Sequence, residues 1–136
     1  MEEQQRKLKI DRVLTITSLL SLVFVTFHMA EDVARGFEPG GFKNVNVIVI
    51  GVVWLYGTVM LAGRRSGYII MLLASLLGFL TPLAHMRGVG LVGGRMVNSG
   101  GKLFFVWTLI AVGMTSLFSV ILAVRGLWSL PWRRRT

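Results

Sequence analysis

Four stretches of this chain, residues 13–30, 45–62, 67–83 and 103–124, contain no lysine, arginine, aspartate or glutamate. At about 1.5 Å of rise per residue, each is long enough as a helix to cover the roughly 30 Å hydrocarbon core of a bilayer. Backbone polar groups cannot stay unpaired in lipid, and the alternation of barrel strands is missing from all four runs, so the runs must be helices. Apolar residues make up 54% of the chain and charged residues only 15%, which leaves little from which to build a soluble domain. The expectation is an all-α integral membrane protein: a four-helix up-down bundle, one transmembrane domain over residues 1–136, with helices at about 11–35, 44–63, 67–86 and 102–126.

The basic residues orient such a bundle. Arg6, Lys7, Lys9 and Arg12 precede the first run, Arg64 and Arg65 occupy the second connection, and Arg125, Arg133, Arg134 and Arg135 follow the last run. The first and third connections carry fewer cations over a longer stretch: Arg35, Lys43, Arg87, Arg95 and Lys102. Positive charge stays on the cytoplasmic side, so both the N- and C-termini are expected there, in the plasma (inner) membrane. Trp128 and Trp132 suit the headgroup level, beside arginines that meet anionic lipid. This anchoring accounts for the net charge of +9 without nucleic acid, which is not expected as a partner. The first run is too long for the apolar core of a cleavable leader and is expected to remain in the membrane.

Several chemistries are excluded. With no cysteine there are no disulfides, thiolate metal sites or thiol nucleophiles. Serines and threonines are scattered along the helices without a nucleophile elbow or a triad order, so the reading leans away from an enzyme. "GVGLVG" at residues 88–93 matches the dinucleotide glycine pattern, but no strand precedes it and no soluble helix follows. A looser anion site remains there, with Arg87 and Arg95 bracketing backbone N–H groups and Arg35 on the same side.

The densest ionisable cluster is "HMAEDVAR", directly behind the first apolar run. At 100° per residue, Thr17, Ser21, His28, Asp32 and Arg35 form one stripe of the first helix, with Glu31 at its margin. The first and third helices of an up-down bundle point the same way, which brings His28 and His85 to one level near the outer boundary. Glu31 and Asp32 have the wrong sign for a helix C-terminus and need a cationic partner. Two imidazoles and one or two carboxylates are the donors used for zinc, iron, manganese or copper, so His28, Glu31, Asp32 and His85 are the candidate metal ligands. A b-type haem between His28 and His85, its propionates on Arg87 or Arg95, is a lesser version.

The function read from the sequence is binding of a ligand or metal ion at an outer-side polar pocket between helices one and three. Its rival is an accessory or scaffold subunit of a larger membrane complex, in which Asp32 or Glu31 pairs with Arg87 or Arg35 as a purely structural collar. A third reading is an oligomeric channel or transporter, since one chain of this size offers few polar groups in its inner half.

Overall fold

The computed structural model describes residues 1–38, 40–86 and 100–130, with only the backbone of Lys43. Four α-helices account for most of them: α1 (Glu2–Ala34), α2 (Val45–Val59), α3 (Arg65–His85) and α4 (Lys102–Ser129). A short 3-10 turn, Gly41–Asn44, leads into α2, and no strand occurs among the described residues. The chain is therefore all-α, as its apolar runs require. Three helices, α1, α3 and α4, are long and apolar enough to cross a membrane.

Two helices differ from their expected extents. α1 begins at Glu2 rather than near residue 11, because "EEQQRKLK" is built of good helix formers and puts Glu2 and Glu3 in the first turn, where carboxylates complement the helix dipole. α2 is shorter than a full span. Its 15 residues rise about 22 Å. It stops where Gly63 takes a positive φ of 72°, and Arg64 N–H donates to Leu61 O to close a turn into α3. That turn depends on Gly67, since a Cβ there would strike the Leu61 carbonyl.

The interior is polar in an unusual way. Ser18, Ser21, Thr58, Ser75, Thr108, Ser116 and Ser119 are buried, while Ile48, Leu73, Leu80, Trp107 and Phe118 face outward. Water would favour the opposite distribution, whereas lipid accepts an apolar exterior and leaves hydroxyls and small residues to join helices. Near the middle, Trp54 Nε1–H donates to Ser18 Oγ at 2.8 Å, Ser18 shares a 2.8 Å bond with Thr58, and Ser119 donates to Thr17 at 3.0 Å. One end is closed by Leu14, Tyr68, Met71 and Ala123, with Tyr68 O–H donating to Asp11. The other end is closed by Phe105 and Leu109, with Phe37 against them. α4 packs mainly on α1 and α3. Gly126 lies on the Tyr68 ring, Gly78 on Ser116 and Gly113 on Pro82, so small residues set these close approaches. α3 continues through Pro82 to His85.

Candidate metal centre

The buried residues of α1, Leu14, Ser18, Ser21, His28 and Asp32, recur at helical spacing and form the stripe turned toward the other helices, Ser18 meeting α2 and His28 meeting α3 and α4. His28 and Asp32 are one turn apart on that stripe. His85, the last residue of α3, arrives beside them. His28 is 1% exposed and Asp32 3%, while the His85 side chain keeps 29% of its surface. The centre is thus sealed except at His85.

Three donor atoms meet. His28 Nε2 lies 3.3 Å from His85 Nε2, and Asp32 Oδ2 lies 3.6 Å from the first and 3.5 Å from the second. A charge-assisted N–H···O bond closes to about 2.7–2.9 Å, so the carboxylate stands off from both rings. A tetrahedral ion with bonds of about 2.0–2.1 Å separates its ligand atoms by about 3.3–3.4 Å, whereas an octahedral ion with the same bonds separates neighbouring ligands by about 2.8–3.0 Å. The triangle has the dimensions of a tetrahedral face.

The partners of the other ring nitrogens orient the lone pairs. His85 Nδ1 lies 3.0 Å from Thr81 O, which can only accept, so Nδ1 carries a proton, and in the neutral ring Nε2 presents its lone pair to the centre. His28 Nδ1 lies 3.4 Å from Thr108 Oγ1, whose own proton goes to Glu31 Oε2 at 3.2 Å or Phe105 O at 3.0 Å. The hydroxyl is therefore an acceptor toward His28, and this ring takes the same tautomer. With both rings neutral in this tautomer, two lone pairs and a carboxylate oxygen face one another, an arrangement suited to a cation. Asp32 Oδ1 is also buried and lacks a hydrogen-bond partner among the described residues. A buried carboxylate with one oxygen unbonded and the other 3.5–3.6 Å from its imidazoles is costly, and a cation at the centre of the triangle lowers that cost. Phe105 covers one side, its ring 4.9 Å from His28 and 5.8 Å from His85.

The structure brings His28, Asp32 and His85 together as a group able to hold a metal ion. It puts Glu31 in a different position. The Glu31 carboxylate pairs with Arg35 at 3.0 Å and accepts from Thr108, so it supports His28 from outside the donor triangle. Arg35 is thereby engaged within its own helix, beside Gly101. Arg87, Arg95 and the glycine pattern at 88–93 lie outside the described residues. The haem reading does not fit the geometry. Two imidazoles on one iron stand roughly 4 Å apart across a macrocycle, at about 2 Å per bond, and here a 3.3 Å gap flanked by Asp32 leaves no room for a porphyrin.

Sequence reasoning missed Thr108 and Phe105. Both lie on the α4 face that continues through Val112, Ser116 and Ser119, and the i, i+3/i+4 spacing marks that face. Nothing in the sequence indicates that it meets His28. Replacing Thr108 with valine, which keeps the shape but removes the acceptor, is expected to weaken metal binding about 10–100-fold with the helices intact. Glu31→Gln, which keeps the hydrogen bond, should cost less, and titration of both variants with Co2+ measures the difference.

The chain matches no known protein family, and no curated protein or solved structure matches it.

Proposed function

We propose that this is a small integral membrane protein that binds one divalent transition-metal ion, zinc first among them, through His28, Asp32 and His85 at the outer side of the plasma (inner) membrane. The carrying observation is the donor triangle with edges of 3.3, 3.5 and 3.6 Å. An N2O donor set without cysteine, with tetrahedral spacing, favours zinc over a six-coordinate oxygen-loving ion. Three protein ligands leave a fourth position for water or a substrate atom, and His85 is the exposed corner through which either would arrive.

The membrane arrangement belongs to the same reading: four helices running up and down, both termini cytoplasmic. The order of contacts supports it. Thr17 meets Ser119 and His28 meets Thr108, which reverses α4 relative to α1. Asp11 meets Tyr68 and His28 meets His85, which runs α3 in the direction of α1. Among the described side chains, Arg6, Lys7, Lys9, Arg12, Arg64, Arg65 and Arg125 lie toward the end away from the histidines, against Arg35 and Lys102 at the histidine end, which favours an outer position for the metal centre. Binding is favoured over conduction because Leu109 and Val112, both fully buried, lie along α4 between Thr108 and the hydroxyls at Ser116 and Ser119.

The test is titration of the purified, chelator-treated protein with Co2+, whose visible spectrum distinguishes four- from six-coordinate ions, followed by displacement with Zn2+. One equivalent of Co2+ with an intense tetrahedral spectrum, lost as Zn2+ replaces it, is expected. A spectrum identical to that of Co2+ in buffer would rule the reading out.

A further inference from the structure

A second feature is independent of the metal centre. At the end of the protein away from the histidines, α1 extends beyond the charge-free run that starts at Val13, and α4 beyond the run that stops at Val124. Between these extensions lies a cavity of about 630 Å3, within the size range of small-molecule sites. Glu3, Arg6, Lys7 and Ile10 line it from one face of α1, at i, i+3, i+4 and i+7, and Arg125 and Trp128 line it from α4.

The lining is basic and unneutralised. None of Arg6, Lys7 and Arg125 pairs with a carboxylate among the described residues, and Glu3 is the one acid against three cations. Like charges converging from two helices repel, and an anion between them relieves the repulsion. Measured along the helices, Arg125 and Trp128 lie about 1.5–6 Å past the apolar run and Lys7 about 9 Å, while the headgroup layer of each leaflet is about 5–8 Å deep. The cavity therefore opens at headgroup level, where the amphipathic indole of Trp128, 84% exposed, also belongs. Across Trp128, Arg65 borders an adjoining cavity of about 490 Å3, so positive charge approaches from a third helix as well.

We propose that this cavity is a site for the phosphate group of an anionic phospholipid, held by Arg125 from α4 and by Arg6 and Lys7 from α1. Guanidinium and ammonium groups aimed at one phosphate supply charge-assisted hydrogen bonds. A zwitterionic choline headgroup would add a cation to a cavity that already has three. A soluble phosphate has the right charge, but Ile10 and the exposed indole suit the glycerol and ester portion of a lipid. Diffuse attraction between a basic surface and anionic lipid depends on how many cations there are, whereas a site depends on which ones. The inference rests on the chain lying in a bilayer and not on the metal.

Native mass spectrometry of the full chain, released from nanodiscs that mix phosphatidylglycerol and phosphatidylcholine of the same acyl composition, tests this. The wild type is expected to retain one phosphatidylglycerol in preference to phosphatidylcholine. Arg125→Gln and Arg6→Gln should each lower that retention about five-fold, the effect of one cation at a membrane surface. Lys9→Gln, the same charge change on the same helix but outside the cavity, should retain as much as the wild type. Circular dichroism checks that each variant keeps its helices, and if Arg125→Gln does not, Arg6→Gln decides. An equal loss in Lys9→Gln, or no loss in a folded Arg125→Gln or Arg6→Gln protein, overturns the proposal. Complete displacement of the lipid by inorganic phosphate assigns the site to a soluble anion and overturns it too. A chain that enters the discs but shows no preference overturns the headgroup site alone; a chain that does not enter them overturns the membrane reading with it.

Discussion

Replacing His28 with alanine is expected to lower affinity for Zn2+ or Co2+ by more than about 100-fold, beyond the effect of losing an outer hydrogen-bond partner. The variant removes one of three donors and leaves the other two without their third corner. It should also lose metal-induced stabilisation, which for the wild type at a free metal concentration of 100 Kd amounts to about 2.7 kcal/mol. Asp32→Asn separates charge from shape. It too should lose metal binding, yet the metal-free form should melt above the metal-free wild type, because a buried carboxylate with one oxygen unbonded and the other 3.5–3.6 Å from two imidazoles has been replaced by a neutral amide. A purely structural ion-paired role predicts the opposite sign, since removing one member of a stabilising pair lowers the melting temperature. Thermal melts of both variants, with chelator and with excess Zn2+, distinguish the two.

The second large effect concerns folding. Gly67→Ala is expected to prevent recovery of a folded protein or to destabilise it by at least about 3 kcal/mol, the upper part of the usual range for overpacking. The reason is the identity of the atom in the way. At Gly57 and Gly126 an added methyl meets side-chain atoms, of Ile70 or of the Tyr68 ring, whereas at Gly67 it meets the Leu61 carbonyl oxygen and carbon. Backbone in a tight turn has no alternative rotamer. Yield and unfolding midpoint in detergent measure the outcome, with Gly51→Ala, which faces ordinary van der Waals contact, as the tolerated comparison.

Much of the architecture could be read directly from residue order. Uncharged apolar runs identified four helices, and the polar stripe on α1 correctly placed His28 and Asp32 on one face. The meeting of His28 with His85 was legible from two apolar runs of similar length expected to point the same way. Three features could not be read in this manner. The end of α2 is decided by the conformation of Gly63 and the contact of Leu61 with Gly67, both tertiary, while the apolar run itself continues to Ala62. Glu31 and Asp32 are adjacent in sequence, but 100° of helix rotation sends one to Arg35 and Thr108 and the other to the imidazoles. Thr108 is indistinguishable from other membrane hydroxyls until the rotation of α4 about its axis is known. Periodicity identifies a face; it does not say what that face will meet.

Of the pairs expected for a collar, Glu31 with Arg35 is present at the end of α1, and Arg87 lies outside the described residues. Among the described residues, the side-chain contacts across α1, α3 and α4 at this end run through His28, Asp32, His85 and Thr108. Interhelical connection and the proposed metal ligation therefore share the same side chains, and loading the centre should stiffen this end of the protein.

X-ray absorption at the zinc K-edge of the loaded protein addresses the donor triangle most directly. The structure predicts four nitrogen or oxygen neighbours at about 2.0–2.1 Å, with the outer-shell scattering of two imidazoles. A six-oxygen shell without imidazole scattering would contradict the assignment of His28 and His85 as ligands.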